Sequence, residues 1–331
     1  MQGLQNAWYK PRPPIWLWLL APFTLLFYCI SALRRQAFKL GWLASERVSV
    51  PVIVVGNISV GGNGKTPLVI RLAQWLRQAG YQPGVLSRGY GGNGKDYPLS
   101  VDASSTAELV GDEPTLMRQY LPCPLVVDPK RVRGAKHLIE KHKCDVIICD
   151  DGMQHYALER DIEITVLDGQ RRHGNGYLLP MGPLREGLWR LKHIDFSVVN
   201  GGLAASGEHL MTLEPGRLIN VKYPSQTKSI QDFHKSVVAV AAIGNPDRFF
   251  SMLENKRVNL KKRMAFTDHY KFVVGDIPKE TVLMTEKDAV KCRDFAHDDW
   301  WYLPVSAKLS EDFKQQLLKK LKQAGSNKRK H

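Results

Sequence analysis

The residues best able to do chemistry lie in a glycine-rich segment, SVGGNGKT, at 59–66. It follows the apolar run VPVIVVGN and precedes TPLVIRLAQWLRQAG, in which Leu68, Leu72, Trp75 and Leu76 share a helical face. A strand, a glycine loop and a helix in this order favour a phosphate-binding loop for a nucleotide. Glycines let successive N–H groups turn inward, where they and the helix N-terminus bind phosphate oxygens.

The two residues that end this loop have the most specific expected roles. Lys65 is expected to bridge the β- and γ-phosphates of a nucleotide, and the Thr66 hydroxyl is expected to hold Mg²⁺. Ser59 stands where the usual G-x-x-x-x-G-K-[ST] pattern has glycine, so the match is weaker, and a plain glycine-rich turn is the alternative. The residues of this expected nucleotide-phosphate loop are Ser59, Val60, Gly61, Gly62, Asn63, Gly64, Lys65 and Thr66.

An acidic pair follows a second apolar strand. The run DVIIC ends in Asp150 and Asp151, which resembles a Walker B element. The carboxyl ends of parallel strands lie where ligands collect, so these carboxylates are expected beside the phosphate loop, holding Mg²⁺ directly or through water. DDG is also a good turn sequence, so a strand-ending turn is the alternative interpretation.

Phosphate transfer to an alcohol also needs a base at the acceptor hydroxyl. Asp112, in VGDEP, and His269, in FTDHYKF, are the two candidates, with the imidazole orienting or tuning the carboxylate. Asp112 would otherwise be a helix N-cap, and His269 an ordinary surface or core histidine. The sequence does not determine whether the two side chains meet.

Residues 15–33, IWLWLLAPFTLLFYCISAL, carry no charge and are about long enough to cross a bilayer. A membrane anchor is expected, rather than a secretory signal peptide or a buried soluble helix. Lys10 and Arg12 precede the segment, whereas four basic residues follow it. By the positive-inside tendency the large C-terminal part is therefore expected in the cytoplasm. The four following residues are Arg34, Arg35, Lys39 and Arg47.

Composition restricts the class of protein further. The chain has 331 residues and a formal charge of +15, which suggests anionic partners such as lipids or phosphorylated substrates. No aromatic RNA-binding strand, zinc-finger spacing or recognisable helix-turn-helix accompanies the charge, so nucleic-acid binding is not the expected main function. The five cysteines form no C-x-x-C pair, as expected of reduced thiols in the cytosol.

Apolar strands alternate with amphipathic helices, which predicts an α/β fold with a parallel sheet covered on both faces. The expected order is a membrane anchor helix over 1–35, a P-loop NTPase-like domain over 36–205, a β-rich linker over 206–235, and a smaller α/β domain over 236–331. The last of these ends in a basic tail, KKLKQAGSNKRKH, expected to be solvated.

Taken together, the motifs resemble one known family. The chain contains, in order, VGGNGKTP, SRGYGG, GDEP, DDGMQH, GPLRE, GNPDRFF, TDHY and TEKDAVK. This order, together with the N-terminal membrane helix, resembles the tetraacyldisaccharide 4′-kinases, the lipid A 4′-kinases, over nearly the whole chain. The resemblance implies transfer of the ATP γ-phosphate to the 4′-hydroxyl of a tetraacylated glucosamine disaccharide 1-phosphate. It also implies two α/β/α lobes, a two-stranded linker and a cleft at the membrane surface.

The resemblance assigns roles by position. Asp112 becomes the base, assisted by His269, and Asp150 and Asp151 become residues that hold magnesium or orient ATP. Glu113 becomes a weaker candidate for the metal. Residues expected to hold the disaccharide, its phosphate or the transferring group are Arg88, Tyr90, Gln154, His155 and Arg185.

The expected partners follow from the acceptor. Several acyl chains, at about 0.8 kcal/mol per buried methylene, hold it in the bilayer, so the enzyme must reach the inner-membrane surface. No obligate protein partner is expected. Two alternatives stay open: a membrane-tethered P-loop ATPase that switches a protein partner, which would not need Asp112 or His269, and an ATPase acting on nucleic acid.

Overall fold

The computed structural model describes residues 2–233 and 235–328 and contains two β-sheets. The strands in chain order are β1 (Val52–Gly56), β2 (Pro83–Ser87), β3 (Leu99–Ser100), β4 (Leu125–Val127), β5 (Val146–Asp150), β6 (Ile162–Asp168), β7 (Phe196–Asn200), β8 (Glu208–Pro215), β9 (Leu218–Asn220), β10 (Thr227–Lys228), β11 (Val237–Ala241), β12 (Leu260–Ala265), β13 (Val282–Thr285), β14 (Trp300–Leu303) and β15 (Val305–Lys308).

The α-helices in chain order are α1 (Gln2–Trp8), α2 (Ala21–Lys39), α3 (Lys65–Gln78), α4 (Ala107–Val110), α5 (Asp112–Arg118), α6 (Arg131–His142), α7 (Pro246–Asn255), α8 (Glu286–Cys292) and α9 (Glu311–Lys328). Single 3₁₀ segments lie at Ile15–Leu20, Leu188–His193, Ile230–Asp232 and Arg293–Phe295.

The larger sheet has nine strands in the order β15-β8-β7-β6-β1-β5-β2-β4-β3. All of them except the edge strands β15 and β3 run parallel. Every residue of β1, β2 and β5 is buried, as expected of strands covered by helices on both faces. The predicted α/β class is confirmed. In this order β5 lies directly beside β1, with Val55 opposite Asp150, so the acidic pair lies next to the phosphate loop.

The smaller sheet has six strands in the order β10-β9-β14-β13-β11-β12. Its parallel core, β11 to β14, contains the apolar runs that predicted a second α/β unit. The edge strand β12 was not predicted, because its sequence LKKRMA is largely polar and exposed.

The chain divides between the sheets differently from the expected boundaries. Strand β8 belongs to the larger sheet rather than to a separate linker over 206–235. Strand β15 returns to pair with β8, so the smaller domain does not reach residue 331. We call the part around the larger sheet, 36–215 with 305–328, the first lobe, and 218–303 the second lobe. The two chain passages between the lobes meet where Gly216 N donates to Pro304 O at 2.9 Å.

The C-terminal helix explains this return. Phe313, Leu317 and Leu321 recur on one face of α9 and are at most 1 % exposed, within the core that covers the larger sheet. The basic tail is therefore helical and packed up to Lys328, whose ammonium is 2.9 Å from Asp161 Oδ2, rather than solvated throughout. Residues 329–331 of that tail lie outside the described residues.

The N-terminal apolar segment forms the 3₁₀ turn and α2. Residues Ile15–Lys39 form a helical stretch long and apolar enough to cross a membrane. An 18-residue window within it has a mean hydropathy of 1.9, and only 6 % of that window is buried. No residue of α2 is buried within the protein. A buried soluble helix is therefore the wrong interpretation, whereas a membrane-inserted helix remains the prediction for this surface.

We expect Leu317→Ala to lower the free energy of unfolding by about 2–5 kcal/mol, because the side chain is fully buried. Urea unfolding of the detergent-solubilised protein, followed by far-UV circular dichroism, measures the change. Gln315→Ala, on the exposed face of the same helix, is the control and should change stability by less than about 0.5 kcal/mol. Equal small effects would contradict the assignment of α9 to the first lobe's core.

Candidate active site

The glycine-rich loop joins β1 to α3 in the middle of the larger sheet. Gly61 and Gly64 have φ angles of 111° and 91°, a region that side chains avoid. A Cβ on Gly64 would also lie 2.3 Å from Asn200 Nδ2. Because α3 begins at Lys65, the loop and the helix N-terminus both present N–H groups at one place, which is the arrangement that binds phosphate.

Ser59 and Asn63 fix the loop from inside. The Asn63 amide donates to Ser59 Oγ and to Val166 O, both at 3.1 Å, while Asn200 Nδ2 donates to Asn63 O at 3.0 Å. Ser59, which replaces the usual glycine, is 2 % exposed and accepts one of these bonds. The serine is therefore compatible with an ordered phosphate loop.

The Lys65 ammonium lies beside the acidic pair. It is 3.2 Å from Asp151 Oδ1 and donates to Asn57 Oδ1 at 3.3 Å. Asp151 is also 3.2 Å from Arg185. Burial alone would raise the pKa of Asp151, but the two cations hold it below its usual range. The predicted neighbourhood of loop lysine and acidic pair is present.

Asp150 is the buried member of that pair. Its Oδ1 has no hydrogen-bond partner within residues 2–233 and 235–328. Burial and the nearby Glu113 carboxylate raise the pKa of Asp150 to about 7. Asp150 ends β5, which lies beside β1, and the loop after β1 leads to Thr66. The unpartnered oxygen of Asp150 therefore suits a cation bound beside the phosphate loop. In the described part of the chain, no three His, Cys, Asp or Glu side chains form a complete metal site by themselves.

Asp112 and His269, which the sequence could not place, do meet. His269 Nδ1 lies 3.3 Å from Asp112 Oδ2, although Asp112 begins α5 in the first lobe and His269 follows β12 in the second. The Tyr90 ring packs edge-on against the imidazole, with ring centres 4.9 Å apart. Burial would raise the pKa of Asp112, but the His269 hydrogen bond and nearby lysines lower it. The Asp112 side chain is 17 % exposed.

Lys287 and Asp268 complete this group. The Lys287 ammonium is 3.1 Å from Glu113 Oε1, 3.3 Å from Asp268 Oδ1 and 3.3 Å from His269 Nε2. The structure thus gives the Glu113 carboxylate a lysine partner. Neither Lys287 nor Asp268 was predicted as a site residue, although TEKDAVK and TDHY, which contain them, were recognised as motifs.

A cavity of about 1710 Å³ lies between the lobes and is lined by all the site residues predicted from the sequence except Ser59 and Asp112. Its walls include loop residues 60–66 on one side and His269 on the other. The five residues expected to hold the acceptor all line it, and these are Arg88, Tyr90, Gln154, His155 and Arg185.

Two of these acceptor candidates have defined environments. Gln154 Nε2 donates to Asn57 O at 3.1 Å and to Glu186 Oε2 at 3.0 Å, which fixes its orientation. Burial, with the charges of Arg131 and Arg34, lowers the pKa of His155 to about 4. His155 is therefore neutral at pH 7 and offers one donor and one acceptor rather than a positive charge.

Sequence analysis did not predict several residues that line the cavity, because the fold brings them to it from distant parts of the chain. Arg131, on α6, is 2 % exposed and donates to Asp128 O and Asp150 O. Arg34 extends from α2 and donates to Gln154 O at 3.0 Å, which joins the apolar helix to the cavity. Glu186 ends the GPLRE motif and accepts from Tyr156 and Gln154, so the motif was a usable signal for it.

Known proteins share this fold and sequence. A family model described as tetraacyldisaccharide-1-P 4′-kinase matches residues 16–322. The tetraacyldisaccharide 4′-kinase of Pseudoalteromonas atlantica is 60 % identical over 301 residues, covering 91 % of this chain and 99 % of the relative. The Shewanella denitrificans enzyme of that name is 50 % identical over 325 residues, 96 % of each chain.

A solved structure agrees with the computed one. The Aquifex aeolicus LpxK structure described as an "apo" form in complex with ATP matches with a TM-score of 0.76 and 30 % identity, covering 93 % of this chain and 100 % of that one. Family match, close relatives and shared fold extend over nearly the whole chain. The chain belongs to the tetraacyldisaccharide 4′-kinase family.

Proposed function

We propose that this chain transfers the γ-phosphoryl group of ATP to the 4′-hydroxyl of a tetraacylated glucosamine disaccharide 1-phosphate, with Asp112 as the base. The observation that carries the proposal is a single cavity that has the phosphate loop on one wall and the His269 partner of Asp112 on another. A protein that only hydrolyses ATP to switch a partner would not need this pair.

The hydrogen bonds around the pair favour Asp112 as the proton acceptor. Both ring nitrogens of His269 are engaged, Nδ1 by Asp112 and Nε2 by Lys287. Oδ1 of Asp112 has no hydrogen bond or ion pair among the described residues. It can therefore take the hydroxyl proton while the sugar oxygen bonds to the γ-phosphorus and the bond to the ADP oxygen breaks.

ATP would lie with its phosphates on residues 59–66, where Lys65 stabilises charge on the transferring group. Thr66, Asp150 and Asp151 would hold Mg²⁺, and the unpartnered Asp150 Oδ1 fits that role. Glu113 is left out of this set because Lys287 binds its carboxylate. Asp151 is likewise bound by Lys65 and Arg185, so it would reach the ion through water rather than directly. The ion, when bound, neutralises charge on the phosphates and orients them.

The acceptor would enter from the membrane side. Arg88, Tyr90, Gln154, His155 and Arg185 line the cavity as polar contacts for the sugar and its phosphate. The apolar face of α2 is exposed beside it and can insert among lipid chains. Basic residues in the last turns of α2 and just beyond it favour, by the positive-inside tendency, the cytoplasmic face of the inner membrane for the lobes; they are Arg34, Arg35, Lys39 and Arg47. No protein partner is needed for the reaction.

We expect Asp112→Ala to lower kcat about 10²–10⁴-fold, because a positioned base is lost. His269→Ala should cost less, since the imidazole only supports the carboxylate. Transfer of labelled γ-phosphate from ATP to the tetraacylated disaccharide 1-phosphate measures both variants. If His269→Ala proves the more damaging change, the imidazole is itself the base.

We expect Lys65→Ala to lower kcat about 10²–10³-fold, because a cation directed at the transferring phosphate is removed. The same transfer assay measures it. Lys141→Ala removes an exposed lysine from α6 and should leave transfer unchanged. Normal transfer by Lys65→Ala would reject the phosphate-loop assignment.

We expect the double change Leu25→Glu with Leu26→Glu to reduce the protein recovered in washed membranes. Both side chains are exposed on α2, at 63 % and 57 %, and a charge near a membrane helix centre costs about 3 kcal/mol. Immunoblots of membrane and soluble fractions measure the distribution. Leu203→Glu, at a loop leucine that is 90 % exposed, is the control. Unchanged membrane recovery of the double variant would contradict insertion of α2.

A further inference from the structure

Among the residues that the structure describes, Lys287 is the only cation that contacts the His269 imidazole of the Asp112–His269 pair. It is the second residue of α8, and its side chain is only 15 % exposed. Burial would lower the pKa of Lys287, but the Glu113 and Asp268 carboxylates raise it above its usual range. The group facing His269 Nε2 at 3.3 Å is therefore an ammonium ion.

An ammonium ion can only donate hydrogen bonds. Nε2 of His269 must therefore accept, which leaves the single ring proton of the neutral imidazole on Nδ1. Nδ1 lies 3.3 Å from Asp112 Oδ2, so that proton is directed at the proposed base. The three groups form one directional chain from Lys287 through His269 to Asp112.

The opposite tautomer, with the ring proton on Nε2, has an acceptor for that proton in the same loop as His269. Asp268 Oδ1 lies 3.8 Å from His269 Nε2 and is itself bound by Lys287 at 3.3 Å. Without the ammonium, this carboxylate would attract a proton on Nε2. Nδ1 would then turn a lone pair toward the negatively charged Asp112, and the pair would separate.

We infer that Lys287 is a positioning residue that fixes His269 in the Nδ1–H tautomer and thereby holds Asp112 in place for proton transfer. The inference deepens the proposed function and rests on it, since it assigns Asp112 as the base. Charged or polar groups around the Asp112–His269 pair come from α5, α8, the loop that holds His269 and the loop after β2. They are Glu113, Lys287, Lys291, Asp268 and Tyr90.

The first test reads the tautomer directly and does not depend on activity. The detergent-solubilised full chain is labelled with ¹⁵N-histidine, and the His269 ring signals are assigned by their loss in His269→Gln. In the wild type we expect a protonated Nδ1 and an unprotonated Nε2. Lys287→Met should move the proton to Nε2 or give a mixture, whereas Lys287→Arg should retain the wild-type pattern.

The second test separates positioning from general structural damage. We expect Lys287→Met to lower kcat about 10–100-fold with the KM for ATP unchanged, and Lys287→Arg to restore most of the rate. In the His269→Gln background, Lys287→Met should cost less than about 2-fold more, because its effect passes through the ring. Lys271→Met, which removes an exposed loop cation two residues from His269, is the control.

A wild-type ring protonated on Nε2, an unchanged tautomer in Lys287→Met, or additive losses in the double variant would each overturn the inference. Failure of the proposed function looks different. The wild-type protein would then transfer no phosphate to the lipid disaccharide, while the ¹⁵N signals would still show which nitrogen carries the proton.

Discussion

The contact between Asp112 and His269 is the interaction on which the rest of the site depends. The two side chains belong to different lobes, Asp112 on α5 and His269 in the loop after β12, so the pair exists only where the first and second lobes face each other. The residues of the phosphate loop all belong to the first lobe, but Arg248 of the second lobe donates to Gly62 O at 3.1 Å. The phosphate loop and the base therefore both lie where the lobes meet, which is where the cavity is found.

The charges around the cavity are arranged in matched sets. Lys65 and Arg185 share the Asp151 carboxylate, and Lys287 lies among Glu113, Asp268 and His269. Buried charges are costly unless opposite charges surround them, so these sets hold each side chain in one orientation. Asp150 is the exception, since one of its buried oxygens lacks a partner in the described chain. An unpartnered, buried carboxylate oxygen is suited to bind a cation that enters the cavity together with the nucleotide.

The sequence predicted those parts of the site that short motifs encode. The phosphate loop, the acidic pair after β5 and the parallel sheet follow from local patterns, because a buried strand, a glycine turn and an amphipathic helix each have local signatures. Asp112 and His269 were named as candidates, but their contact joins residues far apart in the sequence, so motif spacing could not predict it. Lys287 was not predicted as a site residue for the same reason, although the motif that contains it was recognised. The bounds of the linker and of the C-terminal domain were wrong, because β8 and β15 pair across the whole second lobe and tertiary pairing determines their partners.

The return of β15 and α9 to the larger sheet makes the second lobe an insertion between two neighbouring strands, β8 and β15. A ribosome therefore delivers the apolar N-terminal helix first and the closing edge strand of that sheet almost last. Throughout elongation the emerging half-domain exposes the unpaired edge of β8 and the core face that α9 later covers.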